Sequence, residues 1–142
     1  MENDQPGPEL KHEPKKLGSH KDLLVWQKSM DLAVDVYGLT RKFPKEETYR
    51  LVAQVTRSAA SVPANIAEGY ARATRKDYSH FLAIAKGSLM ETETFLMLVA
   101  RLGYVSKADS EPTMDLITEV SKMLTAIRRR LLENATGNPN SP

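Results

Sequence analysis

The sequence predicts an all-α fold, an antiparallel up-down-up-down four-helix bundle. Three observations predict it. Four stretches carry apolar residues at alternating steps of three and four, the spacing of one helix face. No stretch alternates apolar and polar residues with period two, as a half-buried strand would. The links between stretches are short, and short links join antiparallel neighbours in a bundle. The chain has 142 residues, 41% of them apolar, which suits one domain with a modest core.

Residues 1–20 are polar and rich in proline, glycine and lysine. We assign them to a disordered tail, because they lack apolar periodicity. Residues 135–142 read the same way, which leaves 21–134 for the bundle. The first helix is expected over about 22–42, with Leu23, Trp26, Met30, Ala33 and Tyr37 as its seam. A second apolar row, Val25, Leu32, Val36, Leu39 and Phe43, runs beside it. Phe43-Pro44 ends the stretch, since proline can open the next helix.

The second helix is expected over about 45–72, with Val52, Val55, Ala59, Val62 and Ile66 as its seam. Inside it lies Ser58-Ala59-Ala60-Ser61-Val62-Pro63-Ala64-Asn65-Ile66-Ala67-Glu68-Gly69-Tyr70. A proline in a helix interior removes a donor and clashes one turn back, at a cost of ~3 kcal/mol. The carbonyl that loses its donor belongs to Ala59, and Ser58 or Ser61 is placed to bond it. Small side chains flank the proline, so Ala59, Ala60, Val62, Pro63 and Ile66 mark a close packing surface. The spacing leaves open whether that surface faces the bundle core or a neighbouring subunit.

The third helix is expected over about 75–102, with Tyr78, Leu82, Ala85, Leu89, Thr92, Leu96 and Val99 in heptad register. A second row holds Phe81, Ile84, Phe95, Leu98 and Leu102. Thr74 with Asp77 resembles a capping box, and Gly103 suits the C-terminal cap. The fourth helix starts at Lys107 or Glu111, after Ser106 or Ser110, and ends near Glu133. Its seam is Ile117, Val120, Leu124, Ile127 and Leu131, and Pro112 suits a first turn.

Little here points to catalysis. There is no cysteine, hence no disulfide, thiolate zinc site or cysteine nucleophile. Asp77-Tyr78-Ser79-His80 has the carboxylate–histidine spacing of a di-metal bundle but occurs once, and such a site needs two copies plus further carboxylates. Glu68, Glu91 and Glu93 read as helix-surface charges. No glycine-rich phosphate loop and no nucleophile–histidine–acid set is recognisable. We expect no enzyme activity, no cofactor and no metal. No basic region leads into an apolar stretch, so we expect neither signal peptide nor membrane span, and a cytoplasmic location.

The basic residues gain meaning from the expected topology. The start of the first helix, the second link and the end of the fourth helix share one end of such a bundle. Lys21, Arg72, Arg75, Lys76, Arg128, Arg129 and Arg130 collect there, diluted by Asp22, Glu68, Asp77 and Glu133. Tyr70 and Tyr78 lie nearby in sequence. The net charge of +2 and a pI near 8.8 are modest for a dedicated nucleic-acid binder. Part of the cluster also serves the helix dipole, because cations are favoured in a C-terminal turn. We nonetheless expect Arg72, Arg75, Lys76, Arg128, Arg129 and Arg130 to contact RNA or DNA phosphates.

Several strings align with one family. Asp22-Leu23-Leu24-Val25-Trp26-Gln27-Lys28-Ser29-Met30 resembles the opening of the four-helix bundle proteins related to the 23S rRNA intervening-sequence protein. Ser61-Val62-Pro63-Ala64-Asn65-Ile66-Ala67-Glu68-Gly69 resembles that family's central signature. Lys76-Asp77-Tyr78, the run from Phe81 to Thr94, and Leu102-Gly103-Tyr104-Val105-Ser106 resemble its third helix and following turn. The resemblance implies a homopentamer and supplies no catalytic residues. The family is also similar to the accessory variability protein of diversity-generating retroelements, a ring that binds a reverse transcriptase and nucleic acid. The expectation is a ring-forming bundle that binds RNA or DNA weakly through its basic end. The alternative is a protein-interaction scaffold or accessory subunit of a retroelement reverse transcriptase.

Overall fold

The computed structural model describes residues 18–135, and the calls on the two tails otherwise lie outside the described residues. Four helices make up the fold: α1 (Leu24–Thr40), α2 (Leu51–Tyr70), α3 (Arg75–Arg101) and α4 (Lys107–Ala135). No strand occurs among the described residues. Each helix packs on the next in sequence, and α4 closes against α1. Within the span assigned to the N-terminal tail, Ser19 caps a short 3-10 turn, His20–Asp22. The His20 ring meets Trp26 edge-on at 5.1 Å.

The shared core is built from the seams. Val55, Ala59, Val62 and Ile66 of α2 are fully buried, as are Leu82, Ala85, Leu89, Thr92 and Val99 of α3 and Ile117, Val120 and Leu124 of α4. Leu96 of α3 joins them at 1% exposure. Burying one such aliphatic side chain contributes roughly 1.5–3 kcal/mol before conformational entropy is counted.

In α1 the structure corrects the expected seam. The row facing the core is Val25, Ser29, Leu32, Val36 and Leu39, all buried. Of the expected stripe, only Ala33 is buried, while Met30 is 41% and Tyr37 54% exposed. Both rows have helical spacing, and a serine interrupts the correct one. Ser29 tolerates burial because its hydroxyl donates to the Trp26 carbonyl at 2.8 Å, which removes the penalty of an unpaired polar group.

The start of the second helix also differs. A 3-10 turn, Lys45–Glu47, precedes it, and α2 begins only at Leu51. The buried Glu47 carboxylate accepts from the Leu51 amide at 3.3 Å and from the Tyr104 hydroxyl at 3.3 Å. A carboxylate there complements the positive end of the helix dipole. Ser106, not Ser110, caps α4, with its hydroxyl accepting from the Asp109 amide at 3.1 Å. Pro112 therefore sits inside α4 rather than in a first turn.

The expected caps of α3 are present. Thr74 accepts from the Asp77 amide at 3.1 Å. At the other end Gly103 has φ +78°, its amide bonds the Ala100 carbonyl, and the Tyr104 amide bonds the Val99 carbonyl. This is a Schellman closure, and glycine adopts its left-handed turn without a Cβ penalty.

Among the described helices the α2–α3 contact is the most extensive. Pro63 sits within a continuous α2, and neither nearby serine turns to the Ala59 carbonyl. Ser58 donates to the Val55 carbonyl at 3.0 Å and lies 2.8 Å from the Thr92 hydroxyl of α3. Ser61 meets Ser88 of α3 at 2.9 Å and accepts from Asn65 at 2.9 Å. Gly69 ends this seam. A Cβ built there would stand 2.7 Å from Phe81 Cβ and 3.1 Å from Tyr78 Cδ2.

Gly69→Ala should therefore force α3 away from α2 and lower stability by about 1–3 kcal/mol in urea unfolding. Unchanged stability would contradict the close approach. Ala59, fully buried, should respond to Ala59→Leu with a loss of similar size, about 1–3 kcal/mol. Ala60 is exposed in the single chain, so Ala60→Leu should leave the unfolding of dilute monomer unchanged. A large loss at Ala60 would mean that α2 is rotated from the arrangement described.

Candidate nucleic-acid interface

The link of residues 71–74 is short because α2 runs on past Gly69 and Thr74 immediately caps α3. Two tyrosines flank it. Tyr70 and Tyr78 meet edge to face, with ring centroids 6.0 Å apart and an interplanar angle of 75°. Burial holds the Tyr78 hydroxyl above the ordinary phenol range, Tyr70 adds to the rise, and Arg130 opposes it. Tyr78 is thus a protonated donor at neutral pH. The Tyr70 hydroxyl lies 3.5 Å from the Gly18 carbonyl.

The same residues open onto a cleft of about 540 Å³. Its apolar floor comes from Leu23, Ile127 and Leu131, and Ala73 and Thr74 form one edge. Arg72, Arg75 and Arg130 stand around it. The floor exists because the α4 seam runs beyond the point where α2 and α3 cover it. Ile127 and Leu131 are only half-buried, unlike Leu124 above them. Sequence reasoning assigned Leu23, Ile127 and Leu131 to the core and did not foresee the cleft. Seam length gave no signal, because the α4 seam from Ile117 to Leu131 spans the same distance in sequence as the α2 seam from Val52 to Ile66.

The six basic residues expected to contact phosphate do not have equal standing. Arg72 reaches Glu68 at 2.7 Å, and its guanidinium lies 4.6 Å from the Phe81 ring centroid. Arg128 is half-buried and donates through Nε to the Ser79 carbonyl at 3.3 Å. Both support the local structure as well as its charge. Arg75, Lys76, Arg129 and Arg130 are exposed. Arg75 and Arg130, which come from α3 and α4, converge on the cleft, whereas Lys76 and Arg129 lie outside its lining.

The expected packing residues divide between two surfaces. Ala59, Val62 and Ile66 belong to the core. Ala60 and Pro63 line a shallow groove of about 310 Å³ with Ala64 and Ala67. Trp26, Met30 and Ala33 of α1 form its other wall. The expected α1 seam thus becomes the wall of an outward-facing apolar groove, continued by the exposed Val34 and Tyr37.

His80 is exposed and packs edge-on against Phe81 at 5.7 Å. Among the described residues, no group of three His, Cys, Asp or Glu side chains is placed to hold a metal ion. No described helix is long and apolar enough to cross a membrane. Glu68 and Glu91 serve ion pairs, the latter with Arg57 at 2.7 Å.

Comparison with known proteins places this architecture. The chain is similar to a crystal structure of a protein of unknown function from the S23 ribosomal protein family of Bacteroides thetaiotaomicron VPI-5482. The two share 30% identity and a TM-score of 0.67, over 74% of this chain and 98% of that one. No match was found among curated proteins. The family model described as 23S rRNA-intervening sequence protein matches residues 21–126, a span that takes in the Pro63 seam, both tyrosines and the second link. The chain belongs to the 23S rRNA-intervening sequence protein family.

Proposed function

We propose that this protein is a non-enzymatic, cytoplasmic bundle of up-down-up-down topology that assembles into a homopentameric ring and binds RNA or DNA through its basic end. The observation that carries the nucleic-acid reading is the convergence of Arg72 from the second link, Arg75 from α3 and Arg130 from α4 on one open cleft beside Tyr70 and Tyr78. Guanidinium groups pair well with phosphate oxygens, and aromatic faces accept bases. A single copy of so modest a patch binds weakly. A ring presents it repeatedly, so several phosphates are engaged by one particle at high effective concentration.

The apolar groove supports assembly. Trp26, Met30, Val34 and Tyr37 lie on one face of α1, beside Ala60 and Ala64 of α2. A contiguous apolar face of this kind marks an interaction surface more often than a solvated one. The small α2 residues let another helix approach closely. The same groove supports the second reading, a scaffold or accessory subunit of a retroelement reverse transcriptase, in which a partner polypeptide takes the place of, or adds to, the neighbouring subunit.

Two measurements test these readings. Replacing Arg75, Lys76, Arg129 and Arg130 together by Gln should weaken RNA binding about equally for all sequences. It should also flatten the dependence of log K on log salt by roughly 0.7–0.9 per lost phosphate contact. Unchanged affinity would remove this surface as the site. Ala60→Glu places a charge in the groove without touching the core. It should reduce the particle mass in light scattering toward that of a monomer while helical circular dichroism is retained. A ring of unchanged mass would exclude the groove from the subunit contact.

A further inference from the structure

A basic patch needs no cavity to bind a phosphate backbone. Here the arginines surround a cleft with an apolar floor, and that combination suits a ligand with two unlike parts. The cleft volume of about 540 Å³ falls within the ordinary small-ligand range of roughly 300–1,000 Å³. Ile127 and Leu131 supply an apolar wall, and Tyr78 offers a ring face and a protonated hydroxyl. A flat, partly polar ring suits a lining that combines tyrosines with aliphatic side chains, because its faces can lie against both. At the rim, Arg75 and Arg130 are exposed and reach the cleft from different helices. Two guanidiniums beside one opening match the charge of a phosphate monoester better than that of a single carboxylate.

We propose that the cleft binds one phosphorylated nucleoside unit, with the base against Tyr70, Tyr78 and the apolar floor and the phosphate on Arg75 and Arg130. The inference deepens the nucleic-acid reading above and rests on it for the choice of a phosphate ligand. The unit is a free nucleotide or an unpaired residue of a single strand. A duplex keeps its bases paired and stacked, and sequence-tolerant capture of single strands proceeds by placing splayed bases on aromatic side chains.

The test uses the full chain and three probes: adenosine 5′-monophosphate, adenosine and inorganic phosphate. Tyrosine ring signals are followed by NMR. The nucleotide should shift Tyr70 and Tyr78 saturably and bind about tenfold more tightly than either fragment, since only it uses both halves of the site. The Arg75→Gln/Arg130→Gln variant should bring nucleotide affinity down to about that of adenosine and leave adenosine unaffected. Ala73 is exposed and lines the cleft, so Ala73→Trp should fill the space and abolish the tyrosine shifts without lowering the melting temperature. A nucleotide bound no better than phosphate, or bound equally well by Ala73→Trp, would overturn the proposal.

Single-stranded and duplex RNA of one sequence then separate the two sources. A preference for the single strand that disappears in Ala73→Trp supports an unpaired residue as occupant. Nucleotide binding without any RNA binding supports the free nucleotide and removes the polymer reading. RNA binding that survives Ala73→Trp, without nucleotide binding, overturns the cleft and leaves the basic-end reading standing.

Discussion

The close approach of α2 and α3 is the constraint on which the rest of the structure depends. It is built from residues with little or no side chain. Gly69 leaves no room for a Cβ against Phe81, and Ala59 is buried without remaining exposure. Hydroxyls fill the gaps between them. Ser58 with Thr92 and Ser61 with Ser88 bridge the helices at 2.8 and 2.9 Å. A hydroxyl carries one proton and two acceptor sites. In the Ser58–Thr92 bridge one hydroxyl must donate to the other, so only one of the two bonds back to its own helix at a time, Ser58 to the Val55 carbonyl or Thr92 to the Ser88 carbonyl. Short polar side chains thus fill a contact too narrow for leucines, and among the described residues no buried side-chain polar atom lacks a partner. The proline at position 63 is accommodated within the same helix.

That contact also positions the basic end. Because Gly69 lies directly against Tyr78, the two tyrosines meet across the link and α3 starts beside the end of α2. Arg72 in the link and Arg75 at the start of α3 then share a rim with Arg130 of α4. Local pairing divides the charges. Arg72 is moderated by Glu68 and Phe81, and Arg128 is turned toward Ser79. The exposed arginines that remain are few, and exposed ion contacts are individually weak in water. In the proposed function, strength at this end depends on repetition, which joins the basic end to the apolar groove between α1 and α2.

Much of this was legible in the sequence. The α2, α3 and α4 seams follow directly from their spacing, because in each the row facing the core keeps its three-four steps, in α3 through the buried Thr92. In α1 two apolar rows compete, and Ser29 breaks the one that is buried. A periodicity argument prefers the unbroken row of Leu23, Trp26, Met30, Ala33 and Tyr37. Only the positions of the neighbouring helices decide between them, and the displaced row becomes the groove wall. At the basic end the sequence showed which charges gather but not which are spent on local structure, since Arg128 and Ser79 are far apart in the chain. The cleft was not legible because it is an absence of cover. It arises where Leu23, Ile127 and Leu131 are left half-buried beside the second link, and each of these floor residues taken alone looks like core.

The most direct test of this account is hydrogen exchange on the assembled protein with and without a saturating single-stranded RNA at low salt. The account predicts added protection confined to the 69–78 segment and the last turns of α4 around 127–131, with the 26–37 and 60–67 segments unchanged. Protection that instead appears along 26–37 and 60–67, with the second link unaffected, would contradict it and would place the nucleic acid on the groove assigned here to the neighbouring subunit.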